Sequence, residues 1–147
     1  MKKTFSFLFL FITISVLSQN KPKEQVENFF TQYQEQSATI AIDNLYKTNQ
    51  WMDRATDAIT DLKNKMEGLN TDFVGKFYGY ELILEKKLGE SFILLSYLGK
   101  YDRQPIRFTF EFYKPNDTWK IFGLKFDGDL DNEIEEAAKL YYHRLDD

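Results

Sequence analysis

After Thr71-Asp72 the spacing of apolar residues changes from three-and-four to two, and that one switch divides the chain into a helical half and a sheet half. Before the switch, Val26, Phe29, Phe30 and Tyr33 recur on one helical face with polar residues between them. Ser37 is placed to cap a second helix carrying Ala38, Ile42, Leu45 and Tyr46. Met52, Ala55, Ile59, Leu62, Met66 and Leu69 then predict a third helix from about Asp53 to Gly68-Leu69, with Gly68 as its stop. That last stripe suits either a coiled-coil partner or the chain's own sheet, and so short a stripe favours the sheet.

Beyond the switch, Tyr78, Tyr80, Leu82 and Leu84 alternate with Gly79, Glu81, Ile83 and Glu85, a first strand ending at Lys87-Leu88-Gly89-Glu90. Ser91 to Tyr101 is apolar on both faces for part of its length, which predicts a central or covered strand. The third strand sets Ile106, Phe108, Phe110 and Phe112 against Arg107, Thr109, Glu111 and Tyr113. Asp102-Arg103-Gln104-Pro105 and Pro115-Asn116-Asp117 turn the chain on either side of it, and a fourth strand covers Thr118 to Phe126. Consecutive hairpins make an antiparallel meander. Ile134, Ala137, Ala138, Tyr141 and Leu145 mark a short carboxyl-terminal helix. The expected fold is α+β: three amino-terminal helices packed on a curved four-stranded antiparallel meander, plus that last helix.

The amino terminus reads differently from everything after it. Met1-Lys2-Lys3 is basic, Phe5 to Leu17 is nearly all apolar, and Val16-Leu17-Ser18 offers a cleavage site before Gln19. Residues 1–18 are therefore expected to be a secretory signal peptide. An apolar run of this length spans about 20 Å as a helix, short of the roughly 30 Å hydrocarbon layer. The expected location is periplasmic or secreted, with no membrane attachment after cleavage. Residues 19–23 form a polar leader and residues 24–147 a single domain.

The acidic balance excludes more than it suggests. Lys2 and Lys3 leave with the signal, so the 19 basic residues fall to 17 against 23 acidic ones. With its basic residues dispersed, such a domain lacks the footprint of a nucleic-acid binder. Zero cysteines and a single histidine, His143, exclude thiol nucleophiles, cysteine–zinc sites and any two-histidine metal centre. No cofactor is expected.

The order of helices before a meander, with the segment Tyr113-Lys114-Pro115-Asn116-Asp117-Thr118-Trp119-Lys120-Ile121, resembles the nuclear transport factor 2-like superfamily over roughly Glu24 to Asp127. That resemblance implies a sheet curled around helices into a cone, as in small exported bacterial members of the group. The short strand such folds carry between their second and third helices has little room near Gln50-Trp51, and the terminal helix is an addition. A cystatin-like single helix on a sheet is the nearest rival, and three helices before the sheet count against it.

Enzymes of similar fold, such as ketosteroid isomerase and scytalone dehydratase, place an aspartate or histidine with tyrosines inside the cone. Here Glu81, Glu85 and Glu111 alternate out of phase with the aromatic faces of their strands, which reads as a solvated face. His143 falls off the stripe of its helix. No catalytic residue is assigned. The aromatic residues Tyr78, Tyr80, Phe108, Phe110, Phe112, Trp119 and Phe122 either line a pocket for an apolar ligand or, if the helices cover them, form the core. Asp127, Asp129 and Asp131 have the alternate spacing of a calcium loop, but Asn132 replaces the required glycine and Ala138 the closing glutamate. Helix capping explains the same acids.

The expected function is thus an exported, non-enzymatic binding or scaffold domain. It would hold a small apolar molecule or a protein partner on the concave aromatic face. A small lyase or isomerase with a pocket carboxylate and tyrosines, and a homodimerisation module acting through the sheet, are the alternatives.

Overall fold

A computed structural model describes residues 21–135 and residue 138. The helical half comprises α1 (Pro22–Glu35), α2 (Ala38–Tyr46), a 3-10 turn (Gln50–Arg54), α3 (Thr56–Glu67) and a single-turn α4 (Thr71–Val74). The sheet half follows as β1 (Phe77–Leu88), β2 (Phe92–Tyr101), β3 (Ile106–Tyr113) and β4 (Lys120–Asp127). Residues 131–135 and Ala138 are helical. The expected signal peptide, Gln19, Asn20, Tyr141, His143 and Leu145 lie outside the described residues.

The strands pair in chain order, all antiparallel, as a meander. β2 is central, which accounts for its apolar residues on both faces. Some boundaries differ from expectation. Pro22 and Lys23, expected in a leader, already belong to α1, because proline's fixed φ and missing N–H suit a first helical turn. The third helix begins at Thr56 instead of Asp53, since Asn49 caps a separate 3-10 turn by accepting from the Trp51 amide at 3.2 Å. Ser37 caps α2 as expected, accepting from the Ile40 amide at 3.2 Å.

One face of the sheet carries the core. Phe108, Phe110 and Phe112 are fully buried beneath α1, whose Val26, Phe29 and Phe30 are equally enclosed. Phe30 stacks on Tyr80 at 4.0 Å and meets Phe108 and Phe110 edge-on at 5.3 and 5.7 Å. Such ring pairs add about 0.5–1.5 kcal/mol each beyond burial. α2 closes the far side with Ala41, Ile42 and Leu45.

Register irregularities overturn the expected alternation of β1. The ladder with β2 shifts between Phe77 and Tyr80, where Gly79 has φ 115°, and again between Leu82 and Leu84. The first bulge puts Phe77 and Tyr80 on the core side and turns Tyr78 outward. The second moves Glu85 to the helix side, where its carboxylate pairs with Lys23 of α1 at 2.6 Å. Glu85 is therefore not on the same face as Glu81 and Glu111. A third shift, opposite Glu111 and Phe112, leaves Phe122 as the extra residue of β4.

Candidate functional site

The seven aromatic residues expected to share a surface fall into four environments. Phe108, Phe110 and Phe112 are core, filled by the side chains of α1, and offer no space to a ligand. Tyr80 is half-buried against Phe30. Trp119 is half-buried at the core's edge, its ring 5.3 Å from the Lys114 ammonium and its carbonyl accepting from Gln25 Nε2 at 3.2 Å. Tyr78 and Phe122 face solvent, 58% and 55% exposed, the latter edge-on to Phe92 at 5.8 Å on the outer face of the sheet.

The tyrosine–carboxylate pairing that would favour an enzyme does occur, but at the surface. Tyr78 donates to the Asp102 carboxylate, which holds that acid below its usual range and raises the phenol. Asp102 also accepts from the Lys76 amide at 2.8 Å, and it is exposed. Solvation removes the desolvated environment a general base needs.

The acidic loop serves the end of the sheet. Asp127 accepts from Arg107 Nε at 3.1 Å and from the Asp129 amide at 3.0 Å, while Arg107 also reaches Glu133 at 2.5 Å. Asp129 accepts from Asn132. Among the described residues no three His, Cys, Asp or Glu side chains are grouped to hold a metal ion, and Asp127, Asp129 and Asp131 form no such cluster. Asp127 neutralises Arg107 instead, and together with Glu133 it raises the guanidinium's pKa further.

The main apolar opening lies elsewhere, as a cleft of about 750 Å³ between α3 and β4. Ile59 and Leu62 of α3, with Leu69 and Phe73, form one wall. Leu124, Lys125 and Phe126 form the other, and Tyr46 and Met52 close one end. The cleft exists because α3 only leans on the core: of its stripe, Met66 alone is fully buried, while Ile59 and Leu62 remain half-covered. The charged residues along it are Asp61 and Lys65, which pair with each other at 2.6 Å, and Lys125, whose neighbours Leu124 and Phe126 face the helices. Tyr46 is committed, its hydroxyl accepting from the Leu124 amide at 3.2 Å, and burial raises its pKa. None of Asp72, Glu81, Asp102 and Glu111 lines this cleft.

A second, more polar cleft of about 620 Å³ lies where α1 meets the start of β1. Tyr33 and Tyr101 share a hydrogen bond of 2.7 Å at its base.

The sequence contained the wall residues of the main cleft without their exposure. Ile59, Leu62 and Leu69 lie on a stripe indistinguishable from a core stripe. The one available signal was the length of that stripe on a helix crowded with Asp57, Asp61, Lys63 and Lys65. No family model, curated protein or solved structure matches the chain. Among the described residues no helix is long and apolar enough to cross a membrane.

Proposed function

We propose that this chain is an exported, non-enzymatic binding domain whose ligand sits in the α3–β4 cleft, not on the aromatic stripe. The observation that carries the reading is an apolar opening of about 750 Å³ walled by Ile59, Leu62, Leu69 and Phe73 facing Leu124 and Phe126. This is the size range of small-ligand sites, roughly 300–1,000 Å³. Asp61, the only acid on its walls among the described residues, is exposed and ion-paired, which supports binding over proton transfer. Helices preceding a meander, with a Trp119-Lys120-Ile121 strand entry, support placing the chain among nuclear transport factor 2-like domains. The basic and apolar residues 1–18 support export.

The test is titration of the mature chain with 1-anilinonaphthalene-8-sulfonate, a fluorescent apolar anion. Binding at one site per chain is expected, weakened about tenfold in Leu62→Asp, a loss of about 1.4 kcal/mol. Phe73 is exposed, so Phe73→Ala tests the same wall without endangering the fold. Equal binding by wild type and both variants, or none by wild type, overturns the reading.

A second reading, self-association through the sheet, is favoured by one observation. Leu88, Phe92, Tyr113 and Phe122 cluster on the face turned away from α1 and α2, with Leu88 77% exposed.

A further inference from the structure

We propose that the occupant of the α3–β4 cleft is an extended peptide that adds to the free edge of β4, with an acidic residue between two apolar ones. The inference rests on the binding reading above and names the ligand's class.

Among the described residues β4 pairs only with β3, so its other edge is the end of the sheet. Over the first part of the strand the chain closes this edge with its own side chains. Thr48 Oγ1 accepts from the Ile121 amide at 3.2 Å, Asn49 Nδ2 donates to the Ile121 carbonyl at 2.7 Å, and Tyr46 accepts from the Leu124 amide at 3.2 Å. These bonds show which backbone groups point outward. The Leu124 amide does, and by the two-residue repeat of a strand so do the amide and carbonyl of Phe126. Among the described residues no group reaches those of Phe126.

The closure stops where the cleft begins. Leu124, Lys125 and Phe126 are consecutive and all line it, so the cleft runs along the strand edge with α3 as its opposite wall. Open backbone groups beside an apolar trough are the elements of strand addition: main-chain hydrogen bonds supply affinity and alternate side-chain positions supply selectivity.

Charge fixes the pattern. Asp61 and Lys65 satisfy each other, whereas Lys125 has no ion-pair partner among the described residues. In β4, Leu124 and Phe126 project toward the helices and Lys125 projects to the other side. A residue of an added strand opposite Lys125 projects to that same side, where a carboxylate meets the ammonium. Its two neighbours then enter the trough between Leu62 and Phe126, which only apolar side chains suit.

The experiment uses the mature chain and a fluorescently labelled, end-blocked octapeptide alternating leucine with glutamate, read by fluorescence anisotropy. Saturable binding is expected. Methylating the backbone nitrogens of the two central leucines should weaken it at least tenfold. Lys125→Glu, at an exposed position, should weaken it at least fivefold, and the same peptide with glutamine in place of glutamate should bind wild type and Lys125→Glu equally. Undiminished binding of the methylated peptide overturns strand addition, and undiminished binding by Lys125→Glu overturns the acidic register. A chain that binds the naphthalene probe but no peptide overturns this inference and leaves the apolar-cleft reading standing. A chain that binds neither loses both.

Discussion

The Tyr33–Tyr101 hydroxyl pair concentrates the pH sensitivity of this chain. Burial pushes both phenols above the ordinary tyrosine value, and their mutual hydrogen bond at 2.7 Å raises Tyr101 further. Burial also pushes Tyr97 up to about 12. A folded-state pKa above the unfolded value means that the stabilisation is fully present below about pH 10. It is lost as pH rises through the folded value. Urea midpoints measured from pH 8 to pH 12 should stay level to about pH 10 and then fall. Tyr33→Phe should cost about 1 kcal/mol at neutral pH, because it leaves the buried Tyr101 hydroxyl without its partner. The same substitution should flatten the alkaline decline. No sequence pattern announces such a pair, since the two residues are 68 positions apart.

Elements with simple periods were legible, and those interrupted by one residue were not. α1 and β3 keep an unbroken repeat, and each presents the face its spacing implies. β1 is read wrongly at Tyr78 and again from Leu84 onward, because a register shift lies on either side of Tyr80–Leu82 and period-two reasoning turns later side chains over when the count slips by one. Gly79 was the available clue, a glycine inside a strand. Its φ of 115° is closed to residues with a side chain, although the nearest atom to an added Cβ would be Lys100 Cε at 4.0 Å. The strain is thus in the backbone alone. Gly79→Val should lower stability by about 1–3 kcal/mol in thermal melts, and hydrogen exchange should quicken first around Tyr78 and Tyr80. Gly99 is constrained for another reason: an added Cβ would lie 2.6 Å from the Phe108 ring. α3 marks the limit of periodicity from the other side. Its stripe is correct, but a stripe does not say how firmly a helix is pressed against its sheet.

The whole molecule keeps the plan written in the switch of period, helices first and a meander after, with the sites redistributed over it. The aromatic stripe of β3 is core, and the apolar cleft lies at the border between α3 and the edge of the sheet. The outer face of the sheet belongs to this scale as well. If it mediates pairing, sedimentation should give twice the chain mass at micromolar concentration, and Phe122→Lys should return the monomer without lowering its melting temperature by more than a few degrees, because Phe122 is 55% exposed in the single chain. Phe29 and Phe30 complete their burial against rings of the sheet such as Phe110, which are synthesised long after them. A nascent chain holding α1 and α2 alone has nothing to fold upon, so maturation waits for the carboxyl half to emerge. Were the chain exported as proposed, that delay would keep it threadable until it had crossed the membrane.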